Sequence, residues 1–238
     1  MKISKIFNKL SFLLIILIIL SALLYPVNII GTRLLLLFGI LLAWSLIIRS
    51  IWRLRWLRIA LLAFSSLFIV SLAFIPGASH VPELHNSYIR ELRRYEGCRY
   101  IWGGENCFGI DCSGLPRKAI RTAMFRHGLT GNFQMFRYSL ENWWFDVSAK
   151  ALASGYREYV RPLNLSGTVL TAPKSQLIPG DLAITECGVH VMVFLGKEEW
   201  ISADPGQGKV LIEDPSKSKN PWFTCRVNFY RWSILDHN

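Results

Sequence analysis

The stretch Tyr100-Ile-Trp-Gly-Gly104-Glu-Asn-Cys-Phe-Gly109-Ile-Asp111-Cys112-Ser113-Gly114 decides the fold. It sets a glycine-rich loop, an aspartate and a cysteine directly ahead of an amphipathic segment. Leu115, Ala119 and Ala123, with Ile120 and Met124 beside them, recur at helical spacing, which predicts a helix from Ser113 to about His127. Its packing side is apolar, so Arg117, Lys118, Arg121 and Arg126 are expected to stay hydrated, and Gly128 is the expected stop. Pro116 is compatible with a first helical turn, where no intrahelical amide donor is required. Cys112 therefore falls at a helix N-terminus, where backbone N–H groups and the positive end of the helix dipole stabilise a thiolate. Gly103 and Gly104 allow the backbone to come close to that reactive position.

Upstream, Leu84, Tyr88, Leu92 and Tyr95 repeat at intervals of four and three, predicting a helix from Glu83 to Glu96. Residues 129–160 are rich in aromatics, including Trp143-Trp144-Phe145, without a simple repeat. After Pro179-Gly180-Asp181 the period changes. Leu182–Ile184, Val189–Gly196, Trp200–Ala203 and Lys209–Ile212 are expected strands, the second buried on both faces. Helices followed by a group of short strands favour an α+β domain over a parallel βαβ repeat.

The pattern Tyr-x-x-Gly-Gly-x-x-x-x-Gly-x-Asp-Cys-Ser-Gly, followed by Pro179-Gly-Asp-Leu182 and Gly188-Val-His190-Val-Met-Val-Phe-Leu-Gly196, resembles the NlpC-type family of cell-wall cysteine peptidases. The resemblance reaches roughly Ile212 and covers most of residues 80–238. It implies a papain-like α+β fold, with Cys112 at the position of the nucleophile, His190 at that of the general base and Tyr100 at an active-site tyrosine position. In the family a His, Asn or Gln on the next strand commonly orients the imidazole. Ser202 stands at that position here, and Asp204, two residues on, is the electrostatic alternative.

The chemistry is coherent without the resemblance. A helix and a strand can bring Cys112 and His190 together, the imidazole taking the thiol proton and returning one to a leaving amine. The Cys112 amide is a candidate oxyanion donor, and Tyr100 adds its hydroxyl or shapes the pocket. Asp111 and Asp181 are expected in loop and turn hydrogen bonds. Glu96 and Glu105 are expected on the solvated surface, with recognition of a substrate ammonium as the alternative, and His127 at a helix end. His80, His85 and His237 have no evident catalytic partner. Setting Cys112 aside, Cys98, Cys107, Cys187 and Cys225 can form two bridges in an exported domain, and Cys98 with Cys107 flanks the glycine loop. The cysteine and histidine spacing lacks paired metal-binding elements, and no phosphate loop, zinc-protease helix or serine elbow occurs, so neither metal nor cofactor is expected.

Residues 1–79 differ in kind. They hold eight of the 27 lysines and arginines and none of the 16 acidic residues, so most of the formal charge of +11 lies outside the α+β domain. That distribution argues against nucleic acid, which requires a basic patch on a folded surface. Apolar segments at about 10–30, 34–48 and 59–75 are expected transmembrane helices. The fifteen residues of the second are short for a span, and a re-entrant hairpin is its alternative. A cleaved leader over the first segment is the other alternative, disfavoured by the length of the run and the missing cleavage pattern.

Arg49, Arg53, Arg55 and Arg58, interleaved with Trp52 and Trp56, have the composition of a membrane interface. With the lysine-rich start they place the N-terminus in the cytoplasm and residues 80–238 outside a bacterial inner membrane. The partners expected are therefore a lipid bilayer and peptidoglycan peptide stems, and the expected activity is amide hydrolysis in those stems. An amidase or acyltransferase on another amide or lipid-linked substrate, and a catalytically weak wall-binding or assembly protein, are the alternatives. A C-terminal reporter on the full-length chain is expected to report an extracytoplasmic location; a cytoplasmic signal would overturn this topology.

Overall fold

The computed structural model describes residues 2–78 and 81–236. The chain divides into two compact units, one ending at Ile75 and the other beginning at Pro76.

The first unit is helical: α1 (Lys2–Leu24), α2 (Ile30–Ser50) and α3 (Arg55–Phe74). Helix α1 ends earlier than its apolar run because Pro26 disfavours helical backbone at Tyr25. Helix α2 is longer than its uninterrupted apolar stretch. Arg33 is accommodated inside its first turn, its guanidinium donating from Nε to Asn28 Oδ1 at 3.0 Å and from Nη2 to the Asn28 carbonyl at 3.1 Å. The 21 residues of α2 extend about 31 Å at 1.5 Å per residue. Among the described residues α2 and α3 are long and apolar enough to cross a membrane, and Leu10–Leu24 forms a shorter apolar stretch. Arg58, in the first turn of α3, lies over the ring of Trp52 in the connecting loop at 4.2 Å.

The second unit is α+β. Helix α4 (Leu84–Arg93) leads to a two-residue hairpin, β1 (Glu105–Asn106) with β2 (Gly109–Ile110). Then come α5 (Gly114–Leu129), α6 (Phe133–Trp144) and α7 (Ala149–Ala153). Six strands follow: β3 (Val160–Gly167), β4 (Leu182–Thr185), β5 (Val191–Gly196), β6 (Glu199–Asp204), β7 (Lys209–Glu213) and β8 (Val227–Trp232). They form one antiparallel sheet in the order β3-β8-β4-β5-β6-β7.

Alternation places Val191, Val193 and Leu195 of β5 in a core with Leu84, Tyr88, Leu92, Leu115 and Ala119 from α4 and α5. Met192 and Phe194 point the other way, into a second core with Trp200, Phe223 and Phe229. Burial on both faces is why β5 reads as an unbroken apolar run.

Several expectations change. The aromatic region 129–160 contains α6, opened by Asn132, whose Oδ1 accepts from the Met135 amide at 3.2 Å. Strands β3 and β8 were not marked by the sequence pattern. Helix α5 continues past Gly128, which serves packing: a Cβ there would lie 2.9 Å from the Phe136 Cα of α6. Arg117 and Arg121 are buried, against the expectation of hydration, and Glu105 is buried with them. Arg117 pairs with Glu105 and Asp146, and Arg121 with Glu105 at 3.0 Å, so the helix face opposite the apolar stripe is sealed by ion pairs.

Asp181 is fully buried. It accepts from the Ile178 amide at 2.9 Å, as a turn residue does, and receives both arms of Arg231 at 2.7 and 2.8 Å. Removing one partner of such a pair strands a desolvated charge. Asp181→Ala is expected to lower unfolding stability by about 3–5 kcal/mol, read as a lowered urea midpoint, and an unchanged midpoint would contradict this role.

Candidate active site

Asp111 organises the loop ahead of α5. Its Oδ1 accepts from the Ser113 hydroxyl at 3.0 Å and the Gly114 amide at 2.5 Å, and its Oδ2 accepts from the Gly103 amide at 2.8 Å. The Gly104 carbonyl accepts from the Asp111 amide at 3.0 Å. Glycines are required here because the backbones touch. A Cβ on Gly114 would collide with the Gly104 carbonyl, and one on Gly104 would lie 2.5 Å from the Gly109 carbonyl. The loop thus delivers Cys112 one residue before Ser113, the N-cap of α5.

The Cys112 sulfur lies 3.6 Å from the Val189 carbonyl, and the Val191 amide acts on it from the other side of His190. The structure therefore brings the thiol against the backbone that carries His190. Thr185, at the end of β4, holds that backbone. Its hydroxyl accepts from the Val189 amide at 3.1 Å and the His190 amide at 3.0 Å, and its amide donates to the His190 carbonyl at 3.1 Å.

Both groups are buried, Cys112 to 8% exposure and His190 to 1%. Burial pushes the Cys112 thiol up to about 12, and the Asp111 charge adds to this, against the Val191, Ser113 and Cys112 amides. Burial pushes His190 down to about 4, opposed by the Asp204 charge. Both shifts favour the uncharged form, thiol on Cys112 and imidazole on His190. The Tyr100 hydroxyl is pushed up to about 12 by burial and then by the charges of Cys112, Asp111 and Asp204.

Ser202 and Asp204 are buried on β6 and share, by the two-residue repeat, the face of Trp200. Asp204 accepts at Oδ1 from the Gly206 and Gln207 amides, at 2.6 and 3.1 Å, and at Oδ2 from Asn220 Nδ2 at 2.7 Å. Among the described residues no hydrogen bond joins Ser202 or Asp204 to the imidazole, and His190 Nε2 is buried without a partner. The Trp222 indole stacks on the His190 ring with centroids 4.3 Å apart and planes 17° from parallel. Neither Trp222 nor Asn220 was singled out from sequence; the Asn-Pro turn signal at 220–221 was the available mark. Trp102 and Val189, on the two loops that meet at Cys112, are 81% and 59% exposed.

The remaining candidates lie elsewhere. The His127 ring is 3.2 Å from the Ser87 hydroxyl, and His85 contacts the Pro179 carbonyl. Glu96 is exposed, as a surface role predicts, whereas Glu105 is committed to Arg117 and Arg121. His80 and His237 lie outside the described residues. All five cysteines are thiols, so the Cys98–Cys107 bridge is not formed; instead the Cys98 thiol donates to the Cys107 carbonyl at 3.3 Å. A cavity of about 640 Å³ is lined by Met124, Tyr138, Asn142 and Tyr159, with residues near the chain end, and includes none of the cysteine site.

A family model described as the NlpC/P60 family matches residues 97–227, more than half of the chain. No curated protein matches it. Among solved structures, NlpC1 from Trichomonas vaginalis is 16% identical, with 66% of this chain and 46% of that one covered and a TM-score of 0.41. The P60 domain of an antigen from M. avium subspecies paratuberculosis is 20% identical, covering 65% and 97%, with a TM-score of 0.38. The peptidoglycan hydrolase RipB from Mycobacterium tuberculosis is 18% identical, covering 71% and 72%, with a TM-score of 0.40. The alignment thus takes in less than half of the length of the Trichomonas protein.

Cys187 provides an internal reference for the reactivity of Cys112. It is exposed, and its thiol is held below the ordinary range by its contact with the Thr185 hydroxyl. At pH 8, alkylation by iodoacetamide, followed by mass spectrometry of the cysteine peptides, is expected to label Cys187 before Cys112. Cys112 labelling should keep accelerating above pH 9. A Cys112 rate already level at pH 7 would contradict the resting neutral pair.

Proposed function

Since the chain belongs to the NlpC/P60 family, we propose that it is a membrane-anchored cysteine hydrolase that cleaves amide bonds in peptidoglycan stem peptides. The observation that carries this reading is the Cys112 sulfur, at the start of α5, set against the backbone on both sides of His190. The name of RipB as a peptidoglycan hydrolase is in keeping with it. In this reading α1, α2 and α3 serve as anchor, α2 and α3 being long and apolar enough to cross, with the N-terminus and the arginine-rich loop cytoplasmic and the α+β unit facing the wall.

In this mechanism His190 removes the Cys112 proton as the sulfur bonds to the amide carbon, and the carbonyl becomes an oxyanion. The Cys112 amide, with the Tyr100 hydroxyl, is the proposed donor to it. Collapse breaks the C–N bond, and the imidazolium gives its proton to the leaving amine. Water, deprotonated by His190, then hydrolyses the thioester to the carboxylic acid and regenerates the thiol. Asp204 is the proposed electrostatic partner of the imidazolium, since its charge favours the protonated ring, and Ser202 is the alternative polar group on the same face. The neutral resting pair makes proton removal part of the attack: charge appears on His190 as it passes from sulfur to oxygen.

The test is mass-resolved digestion of defined peptidoglycan fragments by the full-length chain in detergent. Cys112→Ala and His190→Ala are expected to abolish stem cleavage, and Asp204→Asn to slow it by about 10- to 100-fold. Full activity in Cys112→Ala would sink the nucleophile assignment, and release of acyl-transfer products alone would redirect the substrate. Because burial holds His190 low, the ring stays unprotonated as pH falls past the ordinary histidine range. The acidic limb of kcat/KM, which reports the free enzyme, should therefore lie near pH 4 to 5, whereas a limb at about 6.5 would show a solvated imidazole.

A further inference from the structure

Segment 218–222 is tied to the ends of β6 and β7 by its own side chains. Asn220 Oδ1 accepts from the Trp222 amide at 3.1 Å and starts the single helical turn Pro221–Thr224. Asn220 Nδ2 donates to Asp204 Oδ2 at 2.7 Å and to Glu213 Oε2 at 2.9 Å. The Ser218 hydroxyl donates to Glu213 Oε1 at 2.6 Å and accepts from the Asn220 amide at 3.1 Å. The indole of Trp222 is thereby held flat on His190, at 4.3 Å and 17°.

We propose that Trp222 is the positioning residue of the His190 base, taking over the part that a polar orienter plays elsewhere, with Asn220 fastening it to Asp204 and Glu213. This deepens the hydrolase reading and rests on His190 being its base. A hydrogen bond from an orienter fixes one ring nitrogen; a stacked indole fixes the plane in which both nitrogens lie. His190 Nε2 is buried and unpartnered among the described residues, so no polar contact on that atom sets the ring. The carboxylate of Asp204 is spent on two loop amides and on Asn220, so it acts on His190 through its charge and through the loop it holds. A cation over an indole face within about 6 Å is attracted to it. The stack therefore tightens as the imidazole takes the proton, which favours the charged state of the transition over the neutral resting pair. The titratable group that acts on the ring is Asp204 on β6, whereas Cys112, on which Asp111 and Tyr100 bear, lies against the backbone on either side of His190. Glu213 on β7 reaches the ring only through Asn220.

The experiment compares Trp222→Ala and Trp222→Phe with the wild-type full-length chain in detergent, using His190→Gln to assign the ring resonances by NMR. His190 ring protons are expected upfield in the wild type from the indole ring current, partly so in Trp222→Phe and not in Trp222→Ala. For stem-peptide cleavage, kcat should fall about 10- to 100-fold in Trp222→Ala, with KM little changed and most of the loss recovered by Trp222→Phe. Unshifted ring protons in the wild type, or an unaltered kcat in Trp222→Ala, would overturn the assignment.

If the wild type cleaves no wall fragment, the substrate reading fails while this one is still decided by Cys112 chemistry. Alkylation of Cys112 is then expected to be about tenfold slower in Trp222→Ala and near wild type in Trp222→Phe. Equal rates in all three would overturn the positioning role.

Discussion

The Asp111 carboxylate, receiving the Gly103 and Gly114 amides and the Ser113 hydroxyl, is the contact on which the placement of Cys112 depends. It joins the loop that carries the short β1–β2 hairpin to the unsatisfied amides of a helix start. Glycine is needed at 104 and 114 because that joint leaves no volume for a side chain. Glu105, buried against Arg117 and Arg121, clamps the same loop from its other end. Cys112 is consequently delivered by backbone whose positions are set from both directions, and its own side chain needs no local partner to place it.

Desolvation is the second constraint, and it acts with opposite sign on Cys112 and His190. It raises the thiol and lowers the imidazole, so neither carries charge at rest. Charging either group in so poorly solvated a place is costly, and the surroundings offset part of that cost. The helix-start amides face the sulfur, while the Asp204 charge and the Trp222 indole face the ring. The cost of isolating polar groups from water also explains the first unit, where the Arg33 guanidinium is folded back onto Asn28.

Much of this architecture was legible in the amino-acid pattern. The α4 and α5 helices followed from their three- and four-residue apolar spacing, and β4 to β7 from short apolar runs bounded by Pro-Gly and Gly-bearing turns. Helix α6 was missed because the face it buries carries Ser139 and Asn142 beside Met135, so its aromatics do not mark that face. Strands β3 and β8 were missed for a related reason: Pro162, Asn164 and Ser166 in one, and Asn228 and Arg231 in the other, dilute the apolar signal. Arg117 and Arg121 looked solvent-facing because spacing identifies the side of a helix, not what covers it. Their cover, Glu105 and Asp146, comes from 12 and 29 residues away in sequence at the nearest and farthest from Arg117.

By itself, the sequence determined local matters: which segments are apolar enough for helices in lipid, where the acid-free section stops, that a cysteine precedes a helix after a glycine-rich loop, and that a histidine opens a strand buried on both faces. These depend on neighbours within a few residues, so spacing and composition carry them. Only the tertiary structure decided what stands around the imidazole. Asp204 is turned toward Asn220 and the loop amides, and an indole 32 residues beyond His190 lies flat on the ring. That outcome depends on how the loop after β7 folds back over the sheet, a long-range packing result that no local periodicity encodes.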